Sequence, residues 1–90
     1  MERVVITVTG RDRVGIVARI ASTLAENHVN ILDIRQSIMG DLFTMIMLVD
    51  ISKSKCAFEE LVKRLNRVGE EIGVKVIVQH EDIFKYMHRI

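Results

Sequence analysis

The hydrophobic spacing of this 90-residue chain switches between periods of two and 3.6 along its length, and that alternation constrains the fold more than any single residue does. Arg3 to Thr9 is β-branched at six of seven positions and predicts a strand that stops at Gly10. Gly10 to Arg13 is then a short loop. From Val14 the spacing is helical, with Val17, Ile20, Ala21 and Leu24 on one stripe, ending near Asn27 and His28. Val29 to Met39 reads as a strand with Asn30, Leu32, Ile34, Gln36 and Ile38 on one face and Val29, Ile31, Asp33, Arg35, Ser37 and Met39 on the other. Gly40-Asp41 is a two-residue turn into a third strand, Leu42 to Ile51. Ser52 or Ser54 can cap a second helix carrying Phe58, Leu61, Val62, Leu65 and Val68, which Gly73 ends. Val74, Val76 and Val78 alternate with Lys75, Ile77 and Gln79 in a fourth strand.

The order βαββαβ predicts an α+β domain of ferredoxin-like type. Two right-handed crossovers give a four-stranded antiparallel sheet with two helices on one face, followed by a short C-terminal helical tail. We divide the chain into one domain, 1–81, and a tail, 82–90, in which Ile83, Phe84 and Met87 share one face of a helical turn. Nine residues do not hold a helix alone, so the tail is expected to dock on its own domain or on a neighbouring subunit. Two helices cover only one side of such a sheet. On the third strand Phe43, Met45, Met47, Val49 and Ile51 alternate with Leu42, Thr44, Ile46 and Leu48, so both faces are apolar. Covering the second face predicts a homodimer or larger homo-oligomer, with the tail as the alternative cover.

Composition excludes several classes. Thirteen basic and twelve acidic residues leave a net charge of +1, interspersed along the chain, and give no field for capturing a phosphate backbone. The aromatic content is 4%, and only Phe43 is placed as a stacking residue on a central strand, which argues against RNA binding. No stretch is long and apolar enough for a membrane span, and Glu2 and Arg3 replace the start of a signal peptide. A single Cys suits a reducing compartment. A cytoplasmic protein without nucleic-acid or membrane partners is expected.

Chemistry concentrates where the first strand turns into the first helix, at Asp12, Arg13, Val14, Gly15 and Ile16. Helix-start N–H groups are unpaired and sit at the positive end of the dipole, so they suit a carboxylate, and Gly15 has no side chain to block its approach. Asp12 serves equally well as an N-cap and Gly15 as a close-packing residue. His28, His80 and His88 lie too far apart for a local metal motif. Cys56 at the start of the second helix suits packing better than nucleophilic catalysis, and the methionines suit a core better than a cofactor site. Asp33 and Arg35, two apart on one strand face, form either an exposed ion pair or part of an inter-subunit pocket. No Ser-His-Asp, carboxylate-pair or acyl-phosphatase pattern is present, so neither catalysis nor a cofactor is expected.

Asp12 to Ala18, followed by Leu24-Ala25-Glu26 and Asn30-Ile31, closely resembles the signature of the ACT-domain family, and the element order is also that family's. The resemblance is strongest to small stand-alone members ending like Ile83, Phe84, Met87 and Ile90 here; similar openings occur in the glycine cleavage repressor and at the N-terminus of formyltetrahydrofolate hydrolase. It implies a regulatory module that binds an amino acid between subunits. On this resemblance the ligand loop is Asp12, Arg13, Val14, Gly15 and Ile16. Asn30 and Ile31 begin the facing strand, with Asn30 supplying amide hydrogen bonds. Val14 stands where the family has Pro, which frees φ in the loop. His28 replaces a frequent Gly, so Asn27 or His28 must take any left-handed turn. A structural or partner-binding homo-oligomer without ligand is the alternative function.

Overall fold

The computed structural model describes residues 1–87. Its elements are β1 (Arg3–Arg11), α1 (Ile16–Glu26), β2 (Asn30–Met39), β3 (Leu42–Asp50), α2 (Phe58–Ile72), β4 (Val74–His80) and α3 (Glu81–Met87). The four strands form one antiparallel sheet in the order β2-β3-β1-β4. This is the ferredoxin-like arrangement expected, ending in a short helix. His88 and Ile90, part of the predicted tail, lie outside the described residues.

Alternation explains the core. Val4, Ile6 and Val8 of β1 pair in register with Val49, Met47 and Met45 of β3, and all six are fully buried on the helix side. Phe43, Val74 and Val76 extend that face. Ile16, Ile20 and Leu24 of α1 and Leu61, Leu65 and Val68 of α2, spaced by three or four residues, close over it. Each such side chain contributes about 1.5–3 kcal/mol by leaving water.

Several boundaries differ from the sequence expectation, each for a local reason. β1 runs through Gly10 to Arg11. Gly10 is there for space rather than for a turn, because a Cβ on it would lie 2.9 Å from Val74 Cγ1 on the adjacent strand. α1 begins at Ile16, capped by Gly15 and not by Asp12. α2 begins at Phe58 after Ala57, since Ser54 Oγ is engaged with the Cys56 backbone and Ser52 with Asp50. Cys56 therefore precedes that helix. β3 ends at Asp50, leaving Ile51 buried in the following loop. In β2 the register slips between Ile31 and Asp33, so Leu32 is an extra residue and the two ends of the strand are out of phase. Ile31 pairs with Val49 and joins Ile34, Gln36 and Ile38 on the helix face, whereas Asn30 pairs with Asp50 on the opposite one. His28 takes the left-handed turn at φ 58°.

On the back face, Val5 is 5% exposed while Ile46 and Ile77 remain about 40% exposed. The helix α3 packs against β1 and β4 of its own chain. Arg3 Nε and Nη2 both reach Glu81 Oε1 at 2.9 Å.

Candidate functional site

The turn from β1 into α1 is pinned at its base and open at its crest. The Asp12 N–H donates to the Asp41 carbonyl at 2.7 Å, which ties the loop to the tip of the β2-β3 hairpin. Gly15 holds φ 91°, a backbone conformation that favours glycine, and its carbonyl accepts the N–H of Arg19 as the first helical bond. No side chain caps this helix and no acidic residue occupies its first turn. The N–H groups at its start are thus left for solvent or an incoming anion. Asp12, Arg13, Val14 and Gly15 are exposed, whereas Ile16 is buried and fixes the helix start to the core. Arg13 does not extend freely into solvent. A Cβ on Gly73 would lie 3.5 Å from its guanidinium carbon, so Arg13 lies across the left-handed cap of α2, beside the negative end of that helix.

Asn30 and Ile31 stand at the other end of the sheet. Asn30 aligns with Asp50, which aligns with Arg3 at the beginning of β1, while Asp12 follows the end of β1. At about 3.3 Å per residue the nine-residue strand separates them by roughly 26 Å. One chain therefore does not bring Asn30 to the Gly15 loop. The Ile31 side chain is half-buried and packs against the core on the helix face.

Two carboxylates near the Asn30 end are held below the usual range. Asp33 is lowered by the backbone N–H of Ile34, then by the hydrogen bond and charge of Arg35, whose Nη2 lies 3.3 Å away. This is the exposed ion pair the sequence suggested. Asp50 is lowered by the backbone N–H of Ser52 and then by its hydroxyl.

Sequence reasoning missed Asn27. It is 4% exposed, donates from Nδ2 to the Thr23 carbonyl at 2.7 Å, and accepts from Arg64 Nη1 and Cys56 Sγ. The signal was present: Asn27 continues the buried Ile20 and Leu24 stripe by three residues, a polar group on an apolar line.

The structure is a two-layer α/β sandwich with a glycine-opened helix start and an edge strand, β2, whose far side no other strand of the described residues pairs. The family model described as ACT domain matches residues 2–79, and the chain belongs to that family. It is 67% identical over 90 residues to a UPF0237 protein of Methanocaldococcus jannaschii, covering 100% of both chains. Among solved structures, an ACT domain protein from Streptococcus pneumoniae superposes with a TM-score of 0.80 at 36% identity, covering 93% of this chain and 94% of that one. A putative glycine cleavage system transcriptional repressor gives a TM-score of 0.75 at 25% identity, with 88% of this chain matching 45% of that one. A formyltetrahydrofolate deformylase from Pseudomonas syringae shares the fold, with a TM-score of 0.82 at 18% identity over 89% of this chain and 28% of that one. No helix among the described residues is long and apolar enough to cross a membrane.

Proposed function

We propose that the protein is a non-catalytic regulatory module of the cytoplasm that binds an amino acid at the boundary between two copies of the chain. The ligand carboxylate meets the N–H groups at Gly15 and Ile16, and Asn30 of the second copy supplies the amide. The observation that carries this reading is the separation just described: the uncapped helix start and Asn30 lie at opposite ends of one sheet, so one ligand touches both only if two copies meet head to tail.

The edge of the sheet supports such a meeting. The ten-residue strand β2 is outermost, and no other strand of the described residues pairs its far side. Its exposed Ile38 and Met39 lie at the hairpin end that holds the Asp12 loop. Antiparallel pairing of β2 with a second β2 centred on Ile34 sets Asp33 of each copy opposite Arg35 of the other. It also brings Asn30 beside the partner's Ile38 to Gly40, next to the partner's ligand loop. Asp33 and Arg35, already paired within one chain, can exchange partners without loss.

Complementation tests this directly. Thermal denaturation against a panel of amino acids should show one that stabilises by about 2.7 kcal/mol at a hundred times its dissociation constant. Gly15→Leu and Asn30→Ala should each abolish the shift while remaining folded. Mixing the two variants should restore about a quarter of the sites, because each mixed dimer regains one intact site and random pairing makes half the dimers mixed. No restoration, with mixed dimers demonstrated, refutes the shared site. No shift with any amino acid, for a folded dimer, favours the interaction-only alternative.

A further inference from the structure

Between the last turn of α1 and the middle of α2 lies an open cleft of about 450 Å³, lined by Thr23, Glu26, Asn27, Arg64, Arg67 and Val68. Each helix contributes three residues at i, i+3 and i+4, so two helical stripes face each other across the space. The inner wall is fixed. Buried Asn27 is bound to the Thr23 carbonyl and to Arg64, and Arg64 Nε also donates to Glu60 at 3.2 Å. Held from both sides, the Arg64 guanidinium is oriented before any ligand arrives, which reduces the ordering entropy that binding must overcome. The outer wall differs. Arg67 and Glu26 form no ion pair among the described residues, with each other or with any third group, although they line the same cleft.

A fixed guanidinium, a free guanidinium and a free carboxylate around a space of small-molecule size have a definite complement. Arg64 and Arg67 together offer a surplus of N–H donors, which suits a carboxylate. Glu26, with Glu60 behind Arg64, balances the two cations, so the cleft has no net positive charge to retain a bare anion. A molecule carrying both charges satisfies both walls. We propose that this cleft binds a small zwitterion, its carboxylate on Arg64 and Arg67, its ammonium toward Glu26, and its methylene carbons against Val68. The site lies within one chain and is independent of the shared Gly15–Asn30 site.

The test is an NMR titration of the ¹⁵N-labelled full chain with glycine, β-alanine and γ-aminobutyrate, a series that varies the charge separation. Acetate and ethylammonium serve as the two half-ligands. Saturable shifts at the Asn27 side-chain amide and at the Arg64 and Arg67 Nε–H groups are expected for at least one zwitterion, with a dissociation constant below about 10 mM. Each half-ligand should bind at least about tenfold more weakly, and Arg67→Gln should weaken the zwitterion by a similar factor. Glu26→Gln should weaken the zwitterion while strengthening acetate, because the two guanidinium groups are then no longer balanced; both residues are exposed, so neither variant disturbs the core. The proposal is overturned if no zwitterion saturates these signals, if acetate binds as well as the best of them, or if Arg67→Gln binds unchanged. Shifts confined to Gly15 and Asn30 would also overturn it, while supporting the shared site.

Discussion

Replacing Gly69 by Ala should destabilise this protein, although helix propensity alone predicts the opposite. Gly69 is buried late in α2, against the start of β4. A Cβ built on it lies 2.8 Å from Val76 Cγ2 and 2.9 Å from the Val74 carbonyl oxygen, about 0.5 Å short of ordinary contact. The valine methyl can turn aside, but the carbonyl belongs to the sheet. Retreat toward β1 is also blocked, because Val74 already packs closely over Gly10. The helix must therefore move out, and overpacking of this kind costs about 1–3 kcal/mol. Alanine in a helix interior returns about 1 kcal/mol relative to glycine. The net loss is about 1 kcal/mol, or roughly 4–8 °C in Tm for a domain of this size, read at fixed protein concentration. Urea unfolding should show a lower midpoint with an unchanged slope. Adding Val76→Ala should recover about 0.5 kcal/mol or more of coupling in a double-mutant cycle. A Tm equal to or above that of the unaltered chain would refute the claim that contact at Gly69 sets the distance between α2 and β4.

Two further predictions concern the sheet ends. Asp50 is held below the usual carboxylate range by the Ser52 N–H and hydroxyl, so its contribution is fully present above an ordinary aspartate pKa of about 3.9 and is lost as pH falls through the lower folded value. The Tm difference between the unaltered chain and Asp50→Asn should be constant from pH 7 to about 5 and close below about pH 4; a difference persisting to pH 2 would contradict the assignment. Glu81→Gln removes the charge that Arg3 grips at 2.9 Å and that Lys85 approaches at 3.7 Å. Amide exchange in α3 should accelerate several-fold while global stability falls by less than about 1 kcal/mol, and unchanged exchange would show that the ion pair does not hold the helix.

What could be read from the sequence was whatever depends on neighbours within one element. Met45, Met47 and Val49 alternate as a half-buried strand must, and all three are fully buried where the period put them. The two-residue hairpin follows from local chemistry in the same way, and the left-handed turn falls on His28, one of the two residues that the sequence left open for it. What could not be read depends on groups distant in sequence. Asp12 resembles an N-cap until the carbonyl of Asp41, on a hairpin 29 residues away, takes its N–H and the helix starts three residues later. Gly10 resembles a stop until Val74 is placed against it. The bulge at Leu32 has no residue signature, yet it decides that Ile31 faces the helices and packs against the core while Asn30 does not. For the candidate site, the loop was visible as a glycine at a helix start, but its distance from Asn30 is a property of strand register alone.

That distance has a thermodynamic consequence. A ligand held by Gly15 of one copy and Asn30 of another binds the pair and not the separate chain, so ligand binding and assembly are linked and each must strengthen the other by the same factor. If assembly is weak, apparent ligand affinity should rise with protein concentration and level off once the chain is fully paired. Saturating ligand should lower the apparent dimer dissociation constant in sedimentation equilibrium, by about tenfold for each 1.4 kcal/mol of coupling. Asn30→Ala should remove the concentration dependence while leaving the ligand-free dimer intact, because it deletes a ligand contact and not the β2 edge. A ligand affinity that stays constant from fully separate to fully paired chains would show that one chain holds the entire site. The roughly 26 Å between Asn30 and the Gly15 loop would then have no part in recognition.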